Sequence, residues 1–103
     1  MTSEFDAYRL YYHSAPQYNW QSRLYLYNNG AYVGSIYFMK DGVSIPTNVV
    51  VGDQPRLYFP AGKFEEIINV LRHEEPLYIS LVPSNGIGTI STSSEPIGEE
   101  END

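Results

Sequence analysis

Along most of the chain, hydrophobic and polar positions alternate, and this pattern predicts a protein built mainly from strands. Residues 5–13 alternate with a period of two, so we expect one long first strand. Alternating or β-branched runs at 49–51, 56–59, 77–82 and 87–92 predict four shorter strands. Glycine, proline and asparagine separate several of these runs, as they do in the turns between short strands.

The segment 22–39 predicts a β-hairpin with a defined register. Its two β-rich halves flank Asn29 and Gly30, the dipeptide that best tolerates the positive φ angles of a type I′ turn. Pairing of Asn28 with Ala31 would set an uninterrupted register. One predicted face then carries Leu24, Leu26, Val33 and Tyr37, and the other carries Tyr25, Tyr27, Tyr32, Ile36 and Phe38. Neither face is polar, so we expect one to pack on a helix and the other to meet a partner, a ligand or another protomer.

Between residues 61 and 74 the hydrophobic period changes to that of an amphipathic helix. The apolar stripe consists of Phe64, Ile67, Ile68 and Leu71. Pro76 is expected to prevent the helix from continuing. The predicted fold class is therefore α+β, with an antiparallel sheet of about five to seven short strands packed against one amphipathic helix.

The chain of 103 residues has enough material for one hydrophobic core. We expect residues 1–94 to form a single domain and residues 95–103 to be a flexible acidic tail. The formal charge is −7, but five of the thirteen acidic residues lie in that tail. The predicted domain is nearly neutral, so the overall charge is a poor guide to what its surface attracts.

The lack of cysteine and of a recognisable targeting segment leads us to expect a cytoplasmic protein. No cysteine is present, which is compatible with a reducing compartment. The first residues have no basic segment followed by an apolar run, so we expect no signal peptide. No segment approaches the roughly 18 apolar residues of a membrane helix, so we expect no membrane insertion.

Candidate catalytic motifs are weak, and we predict a protein that is not an enzyme and has no cofactor. His13 and His73 lie on different elements without metal-ligand spacing, so we expect no metal site. Glycines 86 and 88 resemble part of a phosphate-binding loop, but the third glycine and the lysine of such a loop are missing. No serine lies in a nucleophile motif.

The aromatic residues are the one feature that suggests a binding function. Tyr25, Tyr27 and Tyr32 share a predicted sheet face, and Arg23 lies beside them. Tyrosines of this kind stabilise neighbouring strands without any ligand, and tyrosine and arginine are also enriched at protein interfaces. Aromatic faces flanked by cations also stack the bases of unpaired nucleic acid. Strand stabilisation, dimerisation and nucleic-acid binding all remain open.

The order of elements resembles that of the single-strand nucleic-acid-binding folds of the positive cofactor 4 and Whirly kind. The hairpin at 23–39, the strand at 56–59 and the helix at 61–73 carry the resemblance, which has no sequence motif. It implies a curved sheet followed by a helix, and a dimer that binds single strands. The chain differs in adding strands after the helix and in having only six basic residues.

Two functions follow as expectations. The first is a noncatalytic binding or assembly module, a homodimer that buries one face of the tyrosine-rich sheet. The second is a single-stranded DNA- or RNA-binding protein, in which tyrosines stack on bases and cations contact phosphates. The candidate binding residues are Tyr25, Tyr27, Tyr32, Arg23, Lys40 and Arg56.

Overall fold

The computed structural model describes residues 1–93, which form eight strands and one α-helix. The strands are β1 (Thr2–Phe5), β2 (Ala7–Tyr12), β3 (Trp20–Asn28), β4 (Ala31–Met39), β5 (Val49–Val51), β6 (Gln54–Pro60), β7 (Leu77–Val82) and β8 (Ile87–Thr92). Helix α1 (Phe64–His73) follows a short 3-10 turn, Ala61–Lys63. The α+β class is confirmed. The tail predicted at residues 95–103 lies outside the described residues.

The strands form two sheets rather than the single sheet that the sequence predicts. The large sheet has the order β2-β3-β4-β6-β5, and the small sheet has the order β1-β7-β8. Neighbouring strands are antiparallel except β4 and β6, which are parallel. Strand β5 forms the edge of the sheet and is antiparallel to β6. Strand β6 lies between β5 and β4, and it runs parallel to β4. This arrangement buries Leu57 of β6 completely and leaves the valines of β5 exposed.

The predicted first strand is divided at Asp6 into two strands of different sheets. β1 pairs with β7, whereas β2 pairs with β3. Phe5 is buried in the core, and the exposed Asp6 carboxylate accepts hydrogen bonds from the backbone N–H of Asn29 at 3.2 and 3.3 Å. Aspartate is disfavoured within strands, and here it marks the change of sheet.

The hairpin between β3 and β4 has the predicted turn. Asn29 and Gly30 have φ angles of 51° and 84°, as a type I′ turn requires. Asn28 pairs with Ala31, which confirms the start of the register. The turn therefore forms where the local sequence predicts it.

Beyond residue 33, the predicted faces of β4 are wrong, whereas the predicted faces of β3 are confirmed. A β-bulge leaves Val33 without a partner on β3, so Leu26 pairs with Gly34 instead of Val33. A side chain at position 34 would be crowded, because a Cβ there would lie 3.1 Å from Cδ1 of Ile79 in the small sheet. The bulge thus places glycine where the two sheets approach. It also exchanges the faces of later β4 residues: Ile36 and Phe38 join Leu24 and Leu26 in the core, and Tyr37 joins Tyr25, Tyr27 and Tyr32.

The core lies between the large sheet on one side and the small sheet with α1 on the other. The helix contributes Phe64, Ile68 and Leu71, which are buried as the predicted apolar stripe requires, and Ile67 is only partly buried. The remaining buried core residues are Phe5, Leu24, Leu26, Ile36, Phe38, Leu57, Leu77, Ile79 and Leu81. The small sheet and α1 therefore cover one face of the large sheet.

The opposite face of the large sheet has no helix or strand of residues 1–93 packed on it. Within the same part of the chain, no helix is long and apolar enough to span a membrane.

Candidate functional site

The uncovered face of the large sheet carries a continuous group of aromatic residues and arginines. Alternation along β2, β3, β4 and β6, together with two irregularities in strand register, brings these side chains to one side. We call this surface the aromatic–arginine face. Its members are Arg9, Tyr11, Trp20, Arg23, Tyr25, Tyr27, Tyr32, Ser35, Tyr37, Arg56 and Tyr58.

Two irregularities of register complete this face. The bulge at Val33 places Tyr37 opposite Arg23. A second irregularity lies between Trp20 and Ser22, where strict alternation would put Trp20 on the core side with Ser22. The Trp20 ring instead lies 5.8 Å from the ring of Tyr37, between ring centres.

The parallel pairing of β4 with β6 adds the other end of the face. It places Arg56 beside Ser35 and Tyr58 beside Tyr37. The ring centres of Tyr37 and Tyr58 are 5.7 Å apart, and the guanidinium carbon of Arg56 lies 4.7 Å from the ring centre of Tyr37. Strands separated by residues 40–53 thus supply adjoining parts of one surface.

Arg23 lies at the centre of this face, among four aromatic rings. Its guanidinium carbon is 4.9 Å from the ring centres of Trp20 and Tyr25, 5.1 Å from that of Tyr11 and 6.0 Å from that of Tyr37. It also donates a hydrogen bond of 3.3 Å to the Tyr37 hydroxyl. Each cation–π contact at an exposed site contributes about 0.5–1 kcal/mol, so the rings hold the arginine in position while its charge is retained.

The neighbouring tyrosines pack edge to face rather than lying flat on one another. Tyr25 lies 5.3 Å from Tyr11 and 5.5 Å from Tyr32, measured between ring centres. Tyr32 is 38% exposed, whereas Tyr37 is only 8% exposed. The ring of Tyr37 is therefore buried within the face, whereas the ring of Tyr32, near the hairpin turn, is more accessible.

The electrostatic character of the large sheet is positive. Its five strands contain Arg9, Arg23 and Arg56 but no aspartate or glutamate. Among residues 1–93, the one ion pair within 4.0 Å joins Lys63 and Glu66 near the start of α1. The three arginines of the face consequently have no carboxylate partner in the described chain.

Several polar atoms within the face also have no hydrogen-bond partner among residues 1–93. They are Nε of Arg23, Nε of Arg56 and Oγ of Ser35, and all three are buried beneath their neighbours. Unsatisfied buried donors of this kind are uncommon in folded proteins. Three of the four such atoms among residues 1–93 lie in this surface, and the fourth is Oγ of Ser22 on the core side, so the distribution supports the choice of candidate site.

The titration behaviour of the face keeps its arginines positive and its central tyrosine neutral. Burial opposes the charge of Arg23, but the hydrogen bond to Tyr37 and the nearby phenols outweigh it and raise the arginine's pKa. Burial is the main cause that raises the pKa of the Tyr25 phenol above its ordinary value of 10.0. At neutral pH the arginines of the face are therefore charged and the Tyr25 phenol is uncharged.

The structure brings together five of the six residues that the sequence suggested for binding, namely Tyr25, Tyr27, Tyr32, Arg23 and Arg56. Lys40 lies apart from them, just beyond the end of β4. Its ammonium group donates a hydrogen bond of 3.3 Å to the carbonyl of Ala15 in the loop before β3.

Six members of the face were not proposed from the sequence: Arg9, Tyr11, Trp20, Ser35, Tyr37 and Tyr58. The alternation of the first strand already placed Arg9 and Tyr11 together on one face, and this signal could have included them. The positions of Trp20 and Tyr37 depend on strand irregularities, and that of Tyr58 depends on the parallel pair.

A separate cavity of about 340 Å³ lies where the β1–β2 junction approaches the end of α1. Four acidic residues line it, namely Glu4, Asp6, Glu74 and Glu75, over an apolar base that includes Phe5 and Leu71. Among residues 1–93, no three acidic or histidine side chains come together in a way that could hold a metal ion. The cavity differs in charge from the aromatic–arginine face and shares no residue with it.

The fold and the site together define a small α+β protein with an open, aromatic and cationic sheet face. Comparisons with protein-family models, with curated proteins and with solved structures give no match.

Proposed function

We propose that this protein is a noncatalytic binding module that binds single-stranded nucleic acid on its aromatic–arginine face. The main support is the composition of the large sheet, whose open face combines three arginines and seven aromatic residues with no carboxylate. Aromatic rings stack on unpaired bases, and arginines contact the phosphates between them. The resemblance in element order to single-strand-binding folds points to the same ligand. A cytoplasmic location, suggested by the lack of cysteine, is part of the proposal.

Accessible rings and anchored cations provide the two kinds of contact that a single strand needs. Tyr32, Tyr27 and Tyr25 extend from the hairpin turn toward the centre of the face. Arg9 lies 5.9 Å from the Tyr27 ring centre, and Arg56 lies beyond Tyr37 on the other side. A single strand crossing the sheet would meet arginines at several points along its backbone. Each stacked base is worth about 1–3 kcal/mol, so a few such contacts give measurable affinity.

A homodimer that buries the same face is the second candidate, because tyrosine, tryptophan and arginine are all enriched in protein interfaces. We place it second for an electrostatic reason. A symmetric face-to-face dimer would bring two sets of Arg9, Arg23 and Arg56 together, and no described carboxylate lies in the large sheet to compensate them. Nucleic acid supplies the negative charge that a second copy of the sheet lacks.

The test is binding of a fluorescent mixed-sequence single-stranded oligonucleotide, measured by anisotropy at about 50 mM and about 200 mM salt. Light scattering of the free protein under the same conditions gives its mass. We expect saturable binding that weakens at the higher salt, since counterions are released when arginines contact phosphates. A dimer that is insensitive to salt and ignores the oligonucleotide would overturn the proposal and favour assembly.

Variants locate the binding surface. Tyr25→Ala and Tyr32→Ala should each weaken binding by about tenfold, which corresponds to the loss of one stacked base. Tyr78→Ala is the matched control, because Tyr78 lies on the small sheet, outside the aromatic–arginine face. Equal losses in all three variants, with unfolding midpoints unchanged, would show that the nucleic acid binds elsewhere.

A further inference from the structure

The chain combines a cationic surface with an acidic segment that lies outside the described residues. The large sheet has three arginines and no acidic residue, whereas residues 95–103 hold five acidic residues and no base. The acids of residues 1–93 lie in β1, in turns, or in α1 and just after it. A cationic sheet surface and an acidic segment of opposite charge thus belong to the same chain.

We propose that the acidic segment 95–103 occupies the aromatic–arginine face of its own chain when no nucleic acid is bound, and that a nucleic-acid strand must displace it. The second half of this inference rests on the proposed function, whereas the first half does not. The segment's carboxylates have the same charge sign as phosphates and can accept hydrogen bonds from the same guanidinium groups. The two occupants therefore compete for Arg9, Arg23 and Arg56.

The length of the segment allows this contact. The last described residue, Ser93, follows the end of β8 in the small sheet. Ten further residues reach up to about 33 Å when extended, and two of the three principal dimensions of the molecule are 27 Å. Since the two packed sheets are about 10 Å apart, the segment can pass around an edge of the molecule to the far side of the large sheet.

The chemistry of the face favours this occupant over the rest of the chain. None of the described arginines of the face pairs with a carboxylate within 4.0 Å, and four of the described acids line the cavity beside α1 rather than the face. Carboxylates gain most where cations are unpaired and water is partly excluded, as it is around the half-buried Arg23 and Arg56.

Trp20 allows binding of the segment to the aromatic–arginine face to be measured without nucleic acid. It is the one tryptophan of the chain, and its ring contacts Arg23 within the face. Its fluorescence, together with the NMR signals of the arginine Nε–H groups, therefore reports what lies on the face. Both measurements use the full-length chain.

The experiment compares two variants that lose the same four negative charges. The tail variant carries Glu95→Gln, Glu99→Gln, Glu100→Gln and Glu101→Gln, and the control variant carries Glu65→Gln, Glu66→Gln, Glu74→Gln and Glu75→Gln in and after α1. We expect the tail variant, but not the control, to shift the Trp20 emission and the arginine signals at low salt, independently of protein concentration. High salt should produce the same shift in the unmodified chain. No shift in the tail variant, an equal shift in the control, or a dependence on concentration would overturn the inference.

A second measurement separates this inference from the proposed function. If both hold, the tail variant should bind a single-stranded oligothymidine about tenfold more tightly than the unmodified chain, and the control should not, which is a coupling of ordinary size. A Trp20 shift in the tail variant without oligothymidine binding by any form would support tail binding and refute the proposed function. Oligothymidine binding of equal affinity in the tail variant and the unmodified chain, without a Trp20 shift, would support the function and refute tail binding.

Discussion

The guanidinium carbon of Arg23 lies 4.9 Å from the ring centre of Trp20, three residues earlier in the same strand. Strict alternation would put these two side chains on opposite faces. The irregularity between Trp20 and Ser22 brings them to the same face, where Tyr11, Tyr25 and Tyr37 complete the aromatic surroundings of the arginine. The contacts of Arg23 with these rings thus depend on the planar shape of its guanidinium group as well as on its charge.

Replacement of Arg23 by lysine tests the importance of that shape. Arg23→Lys keeps the positive charge but loses the planar contact with the rings, so we expect binding of the single-stranded oligonucleotide to weaken by about 1 kcal/mol, or roughly fivefold. The salt dependence should stay the same. Anisotropy titrations at several salt concentrations measure both quantities. Full affinity in Arg23→Lys would show that charge alone is sufficient at this position.

Replacement of Arg23 by glutamine tests the charge itself. If Arg23 contacts a phosphate, Arg23→Gln should reduce the slope of log affinity against log salt by about 0.7, the value for one single-strand phosphate contact. Arg72→Gln is the matched control, since Arg72 is exposed on α1 and outside the face. The same titrations give both slopes. An unchanged slope in Arg23→Gln, or an equal change in Arg72→Gln, would contradict a phosphate contact at Arg23.

Local elements of the fold could be predicted because their signals lie within short segments. The Asn29-Gly30 turn, the apolar stripe of α1 and the hairpin of β7 and β8 each depend on residues close in sequence. The predicted limits of β7 and β8 agree with the structure. The helix is shorter than predicted at both ends, because a 3-10 turn precedes it and the chain becomes extended at Glu74.

The arrangement of the sheets could not be predicted, because it depends on contacts between distant residues. The bulge at Val33 is favoured by packing of Ile79 on Gly34, residues 45 positions apart in sequence. The change of sheet at Asp6 and the parallel pairing of β4 with β6 likewise depend on partners far along the chain. The same holds for the candidate site. Arg23 and Tyr25 could be predicted to lie together because they belong to one hairpin, whereas the positions of Tyr37 and Tyr58 depend on the tertiary fold.

Close packing between the two sheets predicts that replacing Gly88 by a larger residue destabilises the protein. A Cβ at this position would overlap Cδ2 of the fully buried Leu57 and lie 3.0 Å from Nδ2 of Asn48. We expect Gly88→Ala to lower the free energy of unfolding by about 1–3 kcal/mol, measured by urea denaturation. Gly62→Ala is the control, because a Cβ there meets nothing within 4 Å and should leave stability unchanged or raise it. Equal stability of the two variants would contradict this packing.

Asn48 connects the large sheet to the turn between β7 and β8. Its Oδ1 accepts a hydrogen bond of 2.7 Å from the backbone N–H of Tyr58, and its Nδ2 donates one of 3.0 Å to the carbonyl of Gly86. Asn48→Ala leaves both partly buried backbone groups without this partner, so we expect a loss of about 1–3 kcal/mol in thermal or urea denaturation. Asn69→Ala, on the exposed side of α1, should cost little. A loss in Asn48→Ala no larger than that in Asn69→Ala would show that this connection contributes nothing.

The raised pKa of Tyr25 predicts a loss of stability at alkaline pH. Burial keeps this phenol protonated in the folded protein above its ordinary pKa of 10.0. The unfolded chain then binds fewer protons than the folded one, so the stability is fully present below pH 10 and falls as the pH rises through the folded pKa. Urea denaturation at about pH 8 and about pH 11 should therefore show a smaller fall for Tyr25→Phe than for the unmodified chain. Phenylalanine retains the ring packing against Tyr11 and Tyr32 but cannot ionise, so an equal fall in both proteins would assign the alkaline instability to other groups.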